Sequence, residues 1–336
     1  MRRKSRERAR WLCQKLAPED YARFCDLKIN DLGFGYDPFG LEIESAMLAY
    51  SLAQYMYKYW FRVESFGVEH IPEEGPALVI PNHSGVLPID GFMIAIDIAK
   101  NMRKPRIMRA AVDNFAGFLP FINTLFYRCG QLVGARRNFE ELLRRGELVA
   151  IFPEGAKGTG KSYKQRYKLR PFNVGFMELS LLFKAPIVPT AVIGAEEQYP
   201  YMINVKPLAK ALRFPYFPVT PFFPLLGPIG MLPLPTKYYI YYGEPFHFYR
   251  EYPPETVHNP DTIRMLVGKV QGRVEEMIEE GLRRRKGIFG FSLLPFRRLL
   301  GAGKGGGPRE EVKQLEAKST SEHHHPNARR HGSHTV

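Results

Sequence analysis

Two stretches of the sequence hold residue types that can do chemistry. In ALVIPNHSGVLPIDG, residues 77–91, an apolar run ends and His83 follows in a Ser/Gly loop. Asp90 stands seven residues on, just ahead of an apolar helical pattern. A histidine oriented by a carboxylate keeps one tautomer and can take a proton from a hydroxyl. Strand-to-helix turns suit this work, because the scaffold holds such side chains while leaving them accessible. A loop histidine that merely bonds a local partner has the same signature, and these residues alone do not separate the two.

The second stretch is ELVAIFPEGAKGTGKS, residues 147–162. Another apolar run delivers Glu154 and Gly155 to its end. Six basic residues follow closely: Lys157, Lys161, Lys164, Arg166, Lys168 and Arg170. Charge runs are commonly solvated faces, but this one abuts a strand end, where an anion can be bound. The same stretch satisfies the P-loop pattern G-x-x-x-x-G-K-[ST] from Gly155 to Ser162. That motif needs a helix immediately behind it to hold phosphates. Here SYKQRYKLRP follows, basic, with almost no apolar face and ended by Pro171. A P-loop NTPase is therefore a weak rival reading.

The elements around these stretches alternate. Strands are expected at 66–69, 77–81, 106–111, 131–133, 148–152, 187–193 and 237–242. Helices are expected at 91–99, 115–126 and 172–183, with a short one capped by Asn138 and running to residue 145. Ile263, Leu266, Val267, Val270, Val274, Met277 and Ile278 keep helical spacing and close the unit. This order implies an α/β domain, a central sheet flanked by helices, over residues 63–285. Residues 1–62 read as an amphipathic, aromatic-rich helical region, suited to a lipid interface or to packing on the domain. Residues 214–235 are apolar but carry seven prolines, which fits neither an ordinary helix nor a central strand. A proline-rich loop and a membrane-dipping segment are both open there. Residues 286–336 read as a basic segment followed by a disordered tail; its His323–His325 run is compositional.

The chain has 336 residues and a formal net charge of +14. That balance favours anionic partners, yet no zinc-finger spacing or RNA-binding aromatic signature appears, so no nucleic-acid partner is expected. Three widely spaced cysteines, Cys13, Cys25 and Cys129, form no disulfide framework and no metal cluster, and suit a reducing compartment. The basic start lacks the apolar stretch of a secretory signal. No run reaches the roughly 18 apolar residues of a spanning helix.

Four blocks in order resemble the glycerolipid acyltransferase superfamily, the family of bacterial 1-acylglycerol-3-phosphate acyltransferases. They are Asn82-His83 with Asp90; GQLVGAR, residues 130–136; Phe152-Pro153-Glu154-Gly155; and PIVPTAVIG, residues 186–194. The resemblance spans roughly residues 63–250. It departs in one place: six residues separate His83 from Asp90, where the family usually has four. A looser branch with sequences resembling NHSGxLPxD and FPEGxKGTGK matches better, and it accounts for the P-loop-like string without nucleotide hydrolysis. The resemblance implies that His83 deprotonates an acceptor hydroxyl while Asp90 holds the imidazole. It implies that Arg136 binds the acceptor phosphate, and that Glu154 and Gly155 shape that pocket, with Lys157 and Lys161 beside it. The expected donor is acyl-CoA or acyl carrier protein, used as a co-substrate, with no cofactor and no metal. The expected acceptor is a lysophospholipid, foremost 1-acylglycerol-3-phosphate; a neutral acylglycerol is the alternative. The expected location is a membrane lipid surface, peripheral or monotopic, on the cytoplasmic face. A non-catalytic lipid-binding protein on the same fold is the rival from another class.

Overall fold

The computed structural model describes residues 3–83, 88–112, 122–155, 158, 161, 163–200, 203–205, 218–220, 223 and 225–290. Three helices open the chain: α1 (Arg3–Leu16), α2 (Tyr21–Cys25) and α3 (Ile43–Tyr55), the last running into a π-helical turn at Met56–Trp60. The strands are β1 (Glu64–Phe66), β2 (Ala77–Pro81), β3 (Met108–Val112), β4 (Leu132–Val133), β5 (Leu148–Ala150), β6 (Ile187–Ile193) and β9 (Tyr239–Tyr242), joined in one sheet. A separate two-stranded pair holds β7 (Ile203–Asn204) and β8 (Pro218–Val219). The remaining helices are α4 (Ile89–Asn101), α5 (Ile122–Arg128), α6 (Arg136–Arg144), α7 (Gly175–Phe183) and α8 (Pro260–Arg284).

The sheet order is β1-β9-β6-β2-β5-β3-β4. Every pairing is parallel except β6 with β9, so the sheet is mixed. All five residues of β2 and all seven of β6 are buried. Strands covered on both faces read as continuous apolar runs, which is why they were legible. Their side chains alternate between two cores, as the period of two demands. Ala77 and Val79 join the core under α3 and α4, whereas Leu78 and Ile80 join the core under α6, α7 and α8. The result is a three-layer α/β/α arrangement.

Pro189 sits inside β6, a central strand, where a missing N–H would ordinarily break a ladder. Its carbonyl accepts from Gly243 N at 2.8 Å, one step beyond the last paired residues, Thr190 and Tyr242. The missing donor thus falls where the ladder with β9 has ended.

The described part of residues 1–62 shares the domain's core. Phe24, Leu41, Ala46, Met47 and Tyr50 are buried in one cluster with Val79, Met108 and Val192. A buried ion pair ties this region to the sheet: Arg109 Nη1 on β3 meets Asp37 Oδ2 at 2.6 Å. Asp37 Oδ1 also accepts from the Phe39 and Leu41 amides.

Several element boundaries moved. Helix α6 begins at Arg136, with Ala135 at its N-cap and no side-chain cap, so Asn138 is not its cap. The Ala135 carbonyl takes the Asn138 and Phe139 amides instead, and Glu141 pairs with Arg144 and Arg145. Helix α7 starts at Gly175 rather than 172, because the amides just ahead of it are taken elsewhere: Phe172 N donates to Gln271 and Asn173 N to Pro153 O. Strand β1 lies two residues ahead of its expected start. The expected helix 115–126 falls partly outside the described residues, with α5 taking its end. Strand β8 and a 3₁₀ turn at Gly227–Met231 occupy the described part of the proline-rich segment. Helix α8 carries the expected buried stripe, capped by Asn259, whose side chain accepts from Thr262 N at 3.1 Å. The His323–His325 run lies outside the described residues.

Candidate active site

Strands β2, β3, β4, β5 and β6 run parallel, so their carboxyl ends lie along one edge of the sheet. His83 follows β2, Glu154 follows β5, Arg136 follows β4, and Glu196 follows β6. Open α/β sheets place their sites outside these carboxyl ends.

His83 is held on several sides. Just before it, the buried Asn82 side chain acts as an extra ladder rung on β6. Its Oδ1 accepts from Val192 N at 2.7 Å and its Nδ2 donates to Val192 O at 3.1 Å. The His83 amide donates to Glu154 Oε1 at 2.9 Å. The imidazole packs on the Phe152 ring with centroids 4.4 Å apart. Its Nδ1 lies 2.9 Å from Asp90 Oδ2. A carboxylate can only accept, so Nδ1 carries the proton and Nε2 presents its lone pair.

Asp90 is the second residue of α4 and is fully buried, while the His83 side chain keeps 13% exposure. The helix N-terminus favours a carboxylate there, and Asp90 Oδ1 also accepts from Gly91 N. The pair therefore closes despite the six-residue spacing. Residues 84–87, including Ser84 and Gly85, lie outside the described residues.

The other expected site residues divide. Glu154 is buried and faces inward: Oε1 holds the His83 amide, and Oε2 takes Arg170 N at 2.8 Å and Lys161 Nζ at 3.1 Å. Gly155 follows with φ of +58° in the turn leaving β5. Lys161, expected beside the acceptor pocket, is not on the surface. Its side chain is only 3% exposed and lies between Glu154 and Glu196, each at 3.1 Å. No α-helix follows it before Gly175, among the described residues only a 3₁₀ turn at Tyr163–Gln165. The P-loop reading fails on both counts, because that motif needs a phosphate-facing lysine and a helix N-terminus. Lys157 lies outside the described residues. Arg136 heads α6 at the sheet's edge, half exposed, paired with Glu140 at 3.0 Å and with Glu178. These carboxylates raise its pKa further. Three strand spacings separate β4 from β2, on the order of 14 Å.

Sequence reasoning missed three contributors. Phe152 and Gly158 touch His83, the latter so closely that a Cβ there would lie 3.0 Å from His83 Cβ and 2.7 Å from Glu154 Cβ. Glu196 completes the buried pair around Lys161. Phe152 and Gly158 lay in recognised blocks, with nothing in them to say that they meet His83; Glu196 carried no local signal. Among the described residues no group of His, Cys, Asp and Glu can hold a metal.

An acyltransferase family model matches residues 62–193, which include His83, Asp90, Arg136 and Glu154. An uncharacterized protein of Mycobacterium tuberculosis (strain ATCC 25618 / H37Rv) is 40% identical over 257 residues, covering 76% of this chain and 70% of the relative. The chain belongs to the glycerolipid acyltransferase superfamily. Acyl transfer is accordingly its reaction class. A protein of Homo sapiens named DGAT1/2-independent enzyme synthesizing storage lipids is 28% identical over 227 residues, 67% of this chain and 63% of its own. A solved 1-acyl-sn-glycerophosphate (LPA) acyltransferase, PlsC from Thermotoga maritima, covers 85% of this chain and 99% of its own, at 17% identity and TM-score 0.44. That likeness is too loose to transfer detail.

Proposed function

We propose that the protein moves a fatty acyl chain from acyl-CoA, or acyl carrier protein, to a hydroxyl of a lysophospholipid, foremost 1-acylglycerol-3-phosphate giving phosphatidate. The observation that supports the chemistry most is the 2.9 Å contact between His83 Nδ1 and the buried Asp90 carboxylate. His83 Nε2 takes the acceptor's hydroxyl proton as the alkoxide attacks the thioester carbonyl. The new C–O bond forms, the C–S bond breaks, and the imidazolium returns the proton to the leaving thiolate. Asp90 holds the ring and stabilises its charged form. No covalent enzyme intermediate, cofactor or metal is required by this scheme.

A neutral acylglycerol is the second reading of the acceptor, and specific observations favour it. Arg136 is already paired with Glu140 and Glu178, and Lys161 is buried between two carboxylates. A phosphate would have to displace Glu178 and Glu140 from Arg136. The human relative's name also refers to storage lipids. Mass spectrometry of products, from purified protein given lysolipids, monoacylglycerol and acyl-CoAs, decides between them. His83→Ala must abolish product with every acceptor; unimpaired turnover would remove His83 from the reaction.

We place the enzyme at a lipid surface on the cytoplasmic side. No described helix is long and apolar enough to cross a membrane; the attachment proposed is peripheral or monotopic. The buried half of α3 serves the core, but Leu52 and Tyr55 on its other side, and Tyr59 in the π-helical turn that follows, are exposed. The adjoining Trp60 donates to Pro233 O at 3.0 Å, which places this band beside the exposed Ile229 and Leu232. Exposed apolar side chains with aromatic rings suit an interface.

A further inference from the structure

The sequence places Lys161 in a basic run, and both the solvated and the anion-binding reading need its charge to be accessible. The structure removes that condition. The ammonium has three hydrogens, and its neighbours are Glu154 Oε2 at 3.1 Å, Glu196 Oε1 at 3.1 Å and Lys168 O at 3.4 Å. The two carboxylates are themselves buried, at no more than 3% side-chain exposure. Each holds backbone amides with its remaining capacity: Glu154 takes His83 N and Arg170 N, and Glu196 takes Tyr167 N at 2.8 Å. Burial pushes the Glu196 carboxyl up, against the pull of Lys161. One cation therefore lies between two buried carboxylates, in a place where an unpaired charge is costly.

We infer that Lys161 is a positioning residue for catalysis: by holding the Glu154 carboxylate in place, it fixes the backbone amide, and hence the ring, of His83. The chain of contacts is short. Lys161 Nζ meets Glu154 Oε2, and Glu154 Oε1 meets the His83 amide. Without the cation, Glu154 Oε2 loses the partner that holds it in the buried site and the carboxylate swings toward water. Its grip on the His83 amide then weakens. Displacement of a reacting group by about 1 Å lowers rates on the order of 10²-fold. This inference rests on His83 being the general base.

The test compares kcat and KM for acyl-CoA with lysophosphatidate and with monoacylglycerol, alongside thermal unfolding, in four variants. Lys161→Met is expected to lower kcat by about 10²-fold on both acceptors, with KM values changed less than about threefold, well below its melting temperature. Lys161→Arg keeps the charge and is expected to recover at least a tenth of the activity. Lys161→Met/Glu196→Gln keeps the cluster's net charge at the wild-type value, so it folds where the single variant is too weak. It still leaves Glu154 without its cation, and its kcat is expected to stay low. His83→Ala is the reference for the base itself. A KM rise confined to the phosphate-bearing acceptor, with kcat kept, would overturn the inference in favour of anion binding. Normal kcat with a lowered melting temperature would reduce Lys161 to a structural cation. An inactive His83→Ala beside an unimpaired Lys161→Met defeats the positioning role alone; an active His83→Ala defeats the base and the positioning together.

Discussion

Replacing Asp90 by Asn keeps the side chain's shape but changes what His83 can do. The carboxylate accepts from Nδ1 at 2.9 Å with no solvent exposure. In the transition state the ring gains a proton, and the new charge sits beside the carboxylate. Two unit charges about 4 Å apart interact by about 4 kcal/mol at an effective dielectric of about 20. Each 1.36 kcal/mol is about tenfold in rate, so losing this attraction corresponds to about 10³-fold. The amide also offers N–H groups to Nδ1, which favours the tautomer with the proton on Nε2, the wrong one for a base. Asp90→Asn should therefore lower kcat by about 10²- to 10³-fold with acceptor KM nearly unchanged, while Asp90→Ala, which enforces no tautomer, should lose no more. The assay is steady-state acyl transfer followed by mass spectrometry, with circular dichroism to confirm that α4 is retained. A kcat within about threefold of wild type, in folded protein, would refute the role of Asp90. A loss expressed in KM alone would show that it shapes binding rather than the proton transfer.

Other expected outcomes follow from single contacts. Arg136→Ala should lower activity on lysophosphatidate about tenfold or more and leave monoacylglycerol activity nearly unchanged, if Arg136 exchanges its carboxylates for the acceptor phosphate; equal loss on both, with a lower melting temperature, makes it a structural ion pair. Gly158→Ala should reduce kcat by at least about tenfold, because the new Cβ meets Glu154 and His83 at 2.7 and 3.0 Å and pushes the loop; unchanged kcat would show that the loop yields freely. Burial raises the Asp97 carboxyl although Tyr57, Tyr242 and Asn101 donate to it. A folded pKa above the unfolded one contributes stability that is present at low pH and lost as pH rises from the unfolded value through the folded one. Asp97→Asn should remove that slope, so its stability relative to wild type rises with pH above about 4 in urea titrations. Liposome binding should strengthen with anionic lipid, weaken with salt, and drop in Ile229→Asp/Leu232→Asp; indifference to all three would detach this surface from the membrane.

The α/β class, the buried strands β2 and β6, and the amphipathic α8 were legible because their signals are local. Continuous apolar runs and a 3.6-residue period need only neighbouring residues. The His83 and Glu154 turns were legible for the same reason, each standing at the end of such a run. Boundaries were less so. Asn138 has the residue type of a cap, but the cap position was set by where β4 ends and the chain turns, and the Phe172 amide was taken by Gln271, about 100 residues away.

Sheet order and side-chain partners belonged to the tertiary structure. Nothing local says that β5 lies beside β2, yet that adjacency brings Glu154 onto the His83 amide. The spacing of His83 and Asp90 looked irregular by count, and their 2.9 Å contact depends on how the chain returns to the start of α4, not on the number of residues between. Lys161 shows the difference most plainly. Its sequence context is basic, and charge at the surface is the usual fate of such a run. It became a buried cation because Glu196 arrives from the end of β6, 35 positions away, and the two carboxylates required one positive charge between them. Residue type and period determine which elements form; which charges are neutralised, and which remain for a substrate, is decided only when distant segments meet.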